Sequence, residues 1–216
     1  MGQELELKFV LPDAAASAAL EAAAGGRRRE RVVQTNHLFD TSDARLRAAG
    51  LTLRLREEAG SWRVTLKGPS RRLGAARARE ELEAAVGRAT ATRILAGEVS
   101  PLDALDSAAG LVAGARDRAE GGLRLLGSFR NERVRVLADL PGYGPALLEI
   151  DRTHLPGDRV DHEVELEVPA AGPDAEEAAG RAEAALRTLL ERIGVEPVQA
   201  SGKASRFVRA LGLADR

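Results

Sequence analysis

Charged and apolar residues alternate in the opening stretch of the chain. Glu4, Glu6 and Lys8 occupy every second position, with Leu5 and Leu7 between them. Side chains of a β-strand point alternately to opposite faces, so the pattern predicts a strand with one charged and one apolar face. Carboxylates are ligands for Mg²⁺ or Mn²⁺, and lysine contacts phosphate. Such a face could bind a metal-bound phosphate, or it could simply face water.

The same charged alternation returns in segment after segment along the chain. Its basic positions are Arg54, Arg56, Arg63, Lys67, Arg79, Arg133, Arg135, Lys203 and Arg206. Its acidic positions are Glu81, Glu83, Glu149, Asp151, Glu163, Glu165 and Glu167. A solvent-facing strand normally mixes charged residues with Thr, Ser and Gln, whereas here the polar faces are almost purely charged. This repetition favours a shared interior over a set of solvated faces.

The opposite faces of these segments are apolar, and amphipathic helices need an apolar surface to cover. If the helices cover the outside of a closed sheet, the charged faces line its interior. We therefore predict an α+β fold, an eight-stranded antiparallel β-barrel with amphipathic helices packed on the outside. An interior crowded with charges of both signs would be costly when dry and empty, which indicates a metal-bound polyphosphate as ligand.

The elements that must position these residues follow from local patterns. LTLRLREE and WRVTLKG, joined by Ala59-Gly60-Ser61, predict a β-hairpin. Residues 69–78 form a polar, arginine-rich connection, and residues 87–126 are predicted as a helical insertion. A C-terminal helix is predicted over 174–193, with Asp174 as N-cap and Gly194 after its end. SGKASRFVRAL predicts a short helix or strand, and we expect one domain over 1–216.

Composition excludes several classes of protein. The net charge of -1, from 32 basic and 33 acidic residues, argues against a general nucleic-acid-binding surface. The absence of cysteine excludes disulfides, thiol catalysis and cysteine-ligated metals. The N-terminus has no signal-peptide pattern, and no stretch approaches the roughly 20 apolar residues of a membrane span. We expect a cytoplasmic monomer or homodimer with no nucleic-acid or membrane partner.

Taken in order, these segments resemble the CYTH superfamily of triphosphate tunnel metalloenzymes. Glu4-Leu-Glu6-Leu-Lys8 matches the superfamily's Glu-x-Glu-x-Lys signature. QTNHLFDTSDARLRAAGLTLRLRE, WRVTLKG, AREELE, FRNERVRV, LLEIDRT, HEVELEV and SGKASRF follow in the family's order. The sequence looks most like the bacterial inorganic triphosphatase branch, through QELELKF, LRAAGLTLRLR and the Ser-x-Lys-Ala ending. Some proteins of that branch carry a C-terminal CHAD domain, whereas we expect a stand-alone CYTH domain here. Asn131 stands where the family often has a lysine or arginine.

The resemblance implies hydrolysis of inorganic triphosphate to pyrophosphate and phosphate inside a tunnel, with Mg²⁺ or Mn²⁺ as cofactor. Substrate-binding residues are then expected at Lys8, Arg54, Arg56, Lys67, Arg79, Arg133, Arg135 and Lys203. Metal ligands are expected among Glu4, Glu6, Glu149, Asp151, Glu163, Glu165 and Glu167. Catalytic roles are expected for Glu4, Glu6, Lys8, Glu81 and Glu165.

Two other functions are compatible with the same residues. A thiamine triphosphatase or a class IV adenylate cyclase would share the tunnel but would need to bind an organic group. Trp62 and Tyr143 are the sole tryptophan and tyrosine, so stacking platforms are few, and this favours an inorganic substrate. A non-catalytic polyphosphate-binding module is the second alternative, and the complete acidic and basic sets argue against it.

Overall fold

The computed structural model describes residues 2–25, 29–106, 108–169 and 174–213. Its strands are β1 Gly2–Leu11, β2 Arg29–Asp40, β3 Thr52–Glu58, β4 Ser61–Lys67, β5 Arg71–Leu73, β6 Ala76–Val86, β7 Arg124–Leu140, β8 Gly144–Leu155 and β9 Arg159–Glu167. Its helices are α1 Ala14–Ala23, α2 Arg45–Ala48, α3 Arg88–Leu95, α4 Gly110–Arg118, α5 Ala175–Arg192 and α6 Lys203–Ala210, and Pro101–Ala104 forms a 3-10 turn.

The strands close into an antiparallel ring. The sheet order is β1-β9-β8-β7-β2-β3-β4-β6, and β6 pairs again with β1. Glu4 lies opposite Arg79 of β6, and Lys8 lies opposite Glu165 of β9, so β1 joins the two ends of the sheet. Among the described strands β5 pairs only with β6, and it stands outside the ring. The predicted eight-stranded antiparallel barrel of the α+β class is confirmed.

Apolar strand faces point outward and are covered by helices. Leu5, Leu7 and Phe9 are buried in one core cluster with Leu186 and Leu190 of α5. The outer faces of β3 and β4 form a second cluster with α2, α3, α4 and the 3-10 turn. Because alternate residues of each strand are held outward by this packing, their charged neighbours must point into the barrel.

Helix α6 packs against one end of the barrel. Its Phe207 and Val208 are buried with Leu38 of β2, Phe129 of β7 and Leu155 of β8. Gly127 allows this contact, because a Cβ at this position would lie 3.0 Å from Phe207 Cζ. The φ of 149° at Gly127 is one that residues with side chains rarely adopt. Local backbone freedom therefore sets how closely α6 approaches the sheet.

Several local predictions are refined. The Ala59–Gly60 turn has positive φ at both residues, as a two-residue hairpin of type I′ requires. The connection at 69–78 contains β5, because Arg71–Leu73 pairs with the start of β6. The helical segment predicted for 87–126 ends earlier, since β7 begins at Arg124. The alternative of a strand for SGKASRFVRAL is wrong, since α6 forms there.

The C-terminal helix departs from its predicted cap. Asp174 makes no side-chain capping hydrogen bond, because its own φ of -87° and ψ of 0° already lie near the helical region. The helix ends at Arg192, and Gly194 follows it as expected. Over the residues that the structure describes, no helix is both long enough and apolar enough to cross a membrane.

Candidate functional site

A cavity of about 1120 Å³ opens inside the barrel. The predicted site residues that line it are Glu4, Glu6, Lys8, Arg54, Arg56, Lys67, Arg79, Glu81, Arg133, Arg135, Glu149, Glu165, Glu167 and Lys203. Asp151 and Glu163 are 1% and 0% exposed and do not border the cavity. The structure thus brings the predicted set together, with these two carboxylates in its buried layer.

Arg133 is the centre of a buried ion-pair cluster. Its guanidinium contacts Asp151 Oδ2 at 2.6 Å and Glu165 Oε2 at 2.5 Å, and it also pairs with Glu149. Burial alone would lower the pKa of Arg133, but Asp151 and Glu165 raise it well above its usual value. Arg133 is therefore a fixed cation whose charge is already neutralised by carboxylates.

Lysines from β1 and α6 complete this cluster. Lys203 Nζ lies 2.7 Å from Asp151 and 2.8 Å from Glu165, and it also pairs with Glu163. Lys8 pairs with Glu165 as well. Burial would raise the pKa of Glu165, but Lys203, Lys8 and Arg133 hold it well below its usual value. Burial would likewise raise the pKa of Asp151, but Lys203 and Arg133 lower it to about 2.

Glu163 completes the buried acidic group. It forms ion pairs with Lys203 and with Arg206, whose Nη2 lies 2.6 Å from Glu163 Oε2. Neither carboxylate oxygen of Glu163 has a well-aligned hydrogen bond in the described structure. Carboxylate oxygens of Asp151, Glu163 and Glu165 lie within 4.8 Å of one another, a spacing that could hold a metal ion.

A second cluster joins β1, β4 and β6. Arg79 donates hydrogen bonds to Glu4 at 2.9 Å and to Glu6 at 2.8 Å. Lys67 donates to both oxygens of Glu4, at 2.9 and 2.8 Å, and lies 2.8 Å from Glu81. Lys8 also pairs with Glu6 at 3.1 Å, so three cations face three carboxylates, and the residues come from the adjacent strands that close the barrel.

Arg54 and Arg56 differ from these cations. Arg54 Nη2 donates to Thr65 Oγ1 at 3.3 Å, and Arg56 Nε donates to Asn36 Oδ1 at 2.9 Å. In the described residues neither guanidinium forms an ion pair with a carboxylate. Burial, and next the charges of Arg54 and Arg133, lower the pKa of Arg56 to about 9. Burial also lowers the pKa of Arg54, and the nearby carboxylates of Glu81, Glu83 and Glu4 offset this only in part.

Glu167 is the acidic counterpart of Arg54 and Arg56. It has no ion-pair partner in the ranges that the structure describes. Its pKa is raised by burial and then by Glu4, Glu149 and Glu81. Because these carboxylates repel one another and supply hard oxygen ligands, the donor set fits a divalent cation.

A hydrogen-bonded network lies beside the ion pairs. Asn131 Nδ2 donates to Asp151 Oδ1 at 2.9 Å and to Gln34 Oε1 at 3.1 Å, while Thr153 donates to Asn131 Oδ1 at 2.7 Å. Gln34 in turn donates to Glu58 at 2.6 Å, and Glu58 accepts from Arg135 at 2.9 Å. Asn131 therefore orients Asp151 rather than supplying a cation.

Sequence reasoning missed the contribution of β2. Gln34 and Asn36 are fully buried inside the barrel, and Glu58 of β3 lines its cavity. The signal was present in VVQTNHL, where Gln34 and Asn36 alternate with larger or less polar neighbours. It was weak, because neutral amides do not stand out among charged faces, and only closure of the barrel turns them inward.

Comparisons with known proteins agree with this architecture. A family model described as CYTH domain matches residues 2–195. HpAC1 from Hippeastrum, described as an adenylyl cyclase candidate with a dominant triphosphatase activity, is 24% identical with a TM-score of 0.73, over 97% of this chain and 96% of that one. A candidate adenylate cyclase of Bacillus halodurans is 21% identical with a TM-score of 0.67, over 96% and 99%. At these identities the likeness shows a shared fold. A comparison with curated protein sequences found no match.

Proposed function

Because the chain belongs to the CYTH domain family, we propose that it hydrolyses inorganic triphosphate to pyrophosphate and phosphate inside the barrel, with Mg²⁺ or Mn²⁺ as cofactor. The bacterial inorganic triphosphatase branch is the part of the family that we propose for it. The description of HpAC1, which pairs a cyclase name with a dominant triphosphatase activity, supports this choice over cyclisation.

The lack of a direct ion pair at Arg54 and Arg56, among the residues that the structure describes, is the observation that carries the proposal. Both guanidiniums border the cavity and have neutral hydrogen-bond partners, Thr65 and Asn36, whereas the other proposed phosphate contacts pair with carboxylates. A polyanion would supply the missing negative charge, and arginine can bind phosphate through two parallel hydrogen bonds. Lys67, whose pKa is lowered by burial and then by Arg54 and Arg79, would gain from the same anion.

The carboxylates of the site are the proposed metal ligands. Glu4, Glu6, Glu149 and Glu167 border the cavity, and Glu165 borders it as well but forms the deeper group together with the buried Asp151 and Glu163. The deeper group is already neutralised by Lys203, Arg133, Lys8 and Arg206, so we place the first metal site around Glu167. A bound divalent cation would neutralise phosphate oxygens and lower the pKa of a coordinated water.

The protein's own groups then have separate roles in the proposed reaction. Arg54 and Arg56 hold the triphosphate and fix it for in-line attack, and Lys67 and Arg79 screen its charge. Lys8, Arg133, Arg135 and Lys203 are the remaining proposed phosphate contacts. Glu81, which pairs with Lys67, is proposed to orient water or the basic side chains. The proposed reaction requires no covalent intermediate, because a metal-bound water would supply the nucleophile.

A phosphate-release panel tests the proposal. Purified protein is incubated with tripolyphosphate, thiamine triphosphate, ATP and long-chain polyphosphate, each with Mg²⁺, with Mn²⁺ and with EDTA. We expect the fastest metal-dependent release from tripolyphosphate. Tight polyphosphate binding without release under any condition would instead identify a non-catalytic binding module.

An organic triphosphate is the second candidate, and Trp62 favours it. The indole borders the cavity, and its ring stacks on His37 with centroids 6.0 Å apart and planes 17° apart. An aromatic edge at the cavity could contact a base or a thiamine ring. Faster release from ATP or thiamine triphosphate, or formation of cyclic AMP from ATP, would support this candidate.

A further inference from the structure

Arg206 of α6 is a buried arginine that belongs to none of the predicted sets of site residues. It is 6% exposed and does not border the cavity, whereas Lys203 of the same helix does. Its guanidinium lies 2.8 Å from Asp161 Oδ2 and 2.6 Å from Glu163 Oε2, and its Nη1 donates a hydrogen bond to Ser201 O at 2.5 Å. A buried charge is costly unless it is paired, and these contacts supply that pairing.

Glu163 connects Arg206 to Lys203. Lys203 lies three residues before Arg206, so the two side chains extend from the same face of α6. Glu163 forms an ion pair with Lys203 through Oε1 and with Arg206 through Oε2. It is 0% exposed, and in the described residues these two cations are its only ion-pair partners. The carboxylate therefore links a buried arginine to a lysine that borders the cavity.

Lys203 is shared among three carboxylates, and Arg206 weakens the attraction of one of them. Besides its pair with Glu163, Lys203 Nζ lies 2.7 Å from Asp151 and 2.8 Å from Glu165. If residue 206 were neutral, Glu163 would keep Lys203 as its only ion-pair partner among the described residues. Coulomb energies are large between buried charges, so Glu163 would then draw the ammonium group away from the cavity. The charge of Arg206 offsets that attraction.

The backbone contact of Arg206 acts in the same direction. Ser201 precedes α6, and Lys203 is the first residue of the helix. The hydrogen bond from Arg206 to Ser201 O holds this segment against the first turn of the helix. Arg206 Nε and Nη2, by contrast, make no well-aligned hydrogen bond in the described structure. Their contacts with Asp161 and Glu163 are therefore mainly between charges, which another cation at this position could reproduce.

We propose that Arg206 is a positioning residue: by neutralising Glu163 and holding Ser201, it keeps Lys203 where the ammonium group can contact a phosphate of the bound triphosphate. The inference rests on the proposed function for the contact of Lys203 with an inorganic polyphosphate. It adds a residue that touches neither the substrate nor the metal. Lys203 contributes to binding only while a cation at position 206 balances Glu163.

A double-mutant cycle between Arg206 and Lys203 tests the inference. Affinity for tripolyphosphate is measured by calorimetric titration in EDTA, and KM for phosphate release with Mg²⁺ is the second readout. Arg206→Gln weakens binding roughly tenfold in the wild-type background and has no further effect beside Lys203→Met. Arg206→Lys stays within about threefold of wild type, because it keeps the charge. Losses that add in the double variant would show that Arg206 does not act through Lys203, and would overturn the proposal.

Arg159→Gln is the matched control. Arg159 pairs with Asp161 at 2.8 Å, as Arg206 does, but it forms no ion pair with Glu163 in the described structure, so affinity stays within about twofold of wild type. Equal losses for the two arginine variants would overturn the proposal. If Arg206→Gln does not fold, as judged by thermal unfolding, Glu163→Gln with Arg206→Gln removes the unpaired charge as well and restores affinity in EDTA. Weak binding by this folded double variant would also overturn it.

The two readouts separate this inference from the proposed function. Binding that depends on Arg206 through Lys203, with no phosphate release under any metal, supports the positioning role and refutes the hydrolase. Metal-dependent release from tripolyphosphate, with losses that add between Arg206 and Lys203, supports the hydrolase and refutes the positioning role. A wild-type protein that binds no tripolyphosphate, with or without Mg²⁺, refutes both.

Discussion

Arginine side chains inside the barrel fall into two groups that differ in their partners. Arg133 is surrounded by Asp151, Glu149 and Glu165, and its pKa is raised despite burial. Among the described residues, Arg56 has Asn36 as its only side-chain hydrogen-bond partner, and its pKa is lowered to about 9. The residue type and the strand face are the same, so the neighbours decide whether an arginine is a fixed counterion or a free cation.

Binding of a polyanion should depend on pH through Arg56. Its pKa in the folded protein, about 9, lies below its usual value, so the guanidinium loses its proton as pH rises through about 9. We expect metal-free tripolyphosphate affinity to fall as the pH rises above about 9. Calorimetric titrations across this range measure it. An affinity that does not change up to pH 11 would contradict the prediction.

Glutamine substitutions should separate free from paired carboxylates. Glu167→Gln removes a charge whose pKa is raised by burial and like charges, so the apo protein should keep or raise its Tm while its Mg²⁺ affinity falls. Glu165→Gln leaves Lys8, Arg133 and Lys203 without their shared carboxylate and should cost about 3–5 kcal/mol of stability. Thermal unfolding in EDTA measures both. A lower Tm for Glu167→Gln would place Glu167 among the structural ion pairs.

The strands and helix α6 position the site residues by different means. The strands place their charged faces inward by alternation, whereas α6 depends on the close contact of Phe207 with Gly127. The same helix carries Lys203 and Arg206, which neutralise Asp151, Glu163 and Glu165. Packing of one helix end is thus coupled to the charge balance of the site.

Gly127→Ala tests that coupling. The added Cβ would meet Phe207 Cζ at 3.0 Å, on a backbone with a φ of 149°, so overpacking and strain should cost about 1–3 kcal/mol. Chemical denaturation measures the loss. Gly144→Ala is the control for the positive φ, since its φ is 98° and nothing lies within 4 Å of its added Cβ. An equal loss in the two variants would mean that contact with α6 adds nothing.

At the scale of the whole molecule, opposite charges are matched inside a closed barrel. The net charge is only -1, yet many ion pairs lie inside the barrel. They are concentrated between β1, β7, β8, β9 and α6. That residues 1–216 make up one domain stays a prediction. The barrel, its external helices and its charged cavity are confirmed.

Acid should unfold the protein through these carboxylates. Folding lowers the pKa of Asp151 to about 2 and that of Glu165 well below its usual value. Their contribution to stability is complete above the unfolded values near pH 4 and is lost as pH falls toward about 2. Circular dichroism during an acid titration measures it. We expect Glu165→Gln to reduce the acid dependence, and an unchanged profile would contradict this assignment.

The sequence alone determined the charged strand faces, the family and the barrel. Alternation has a period of two wherever a strand is half buried, so Glu4, Glu6 and Lys8 point to one side whatever their neighbours are. Only the tertiary structure decided which of these charged side chains form ion pairs and which do not. Pairing depends on strand register and on the approach of α6, which bring Arg133 to three carboxylates and Arg56 to the neutral Asn36. Coulomb energies change steeply over a few ångströms in a buried site, and spacing in the sequence does not encode those distances.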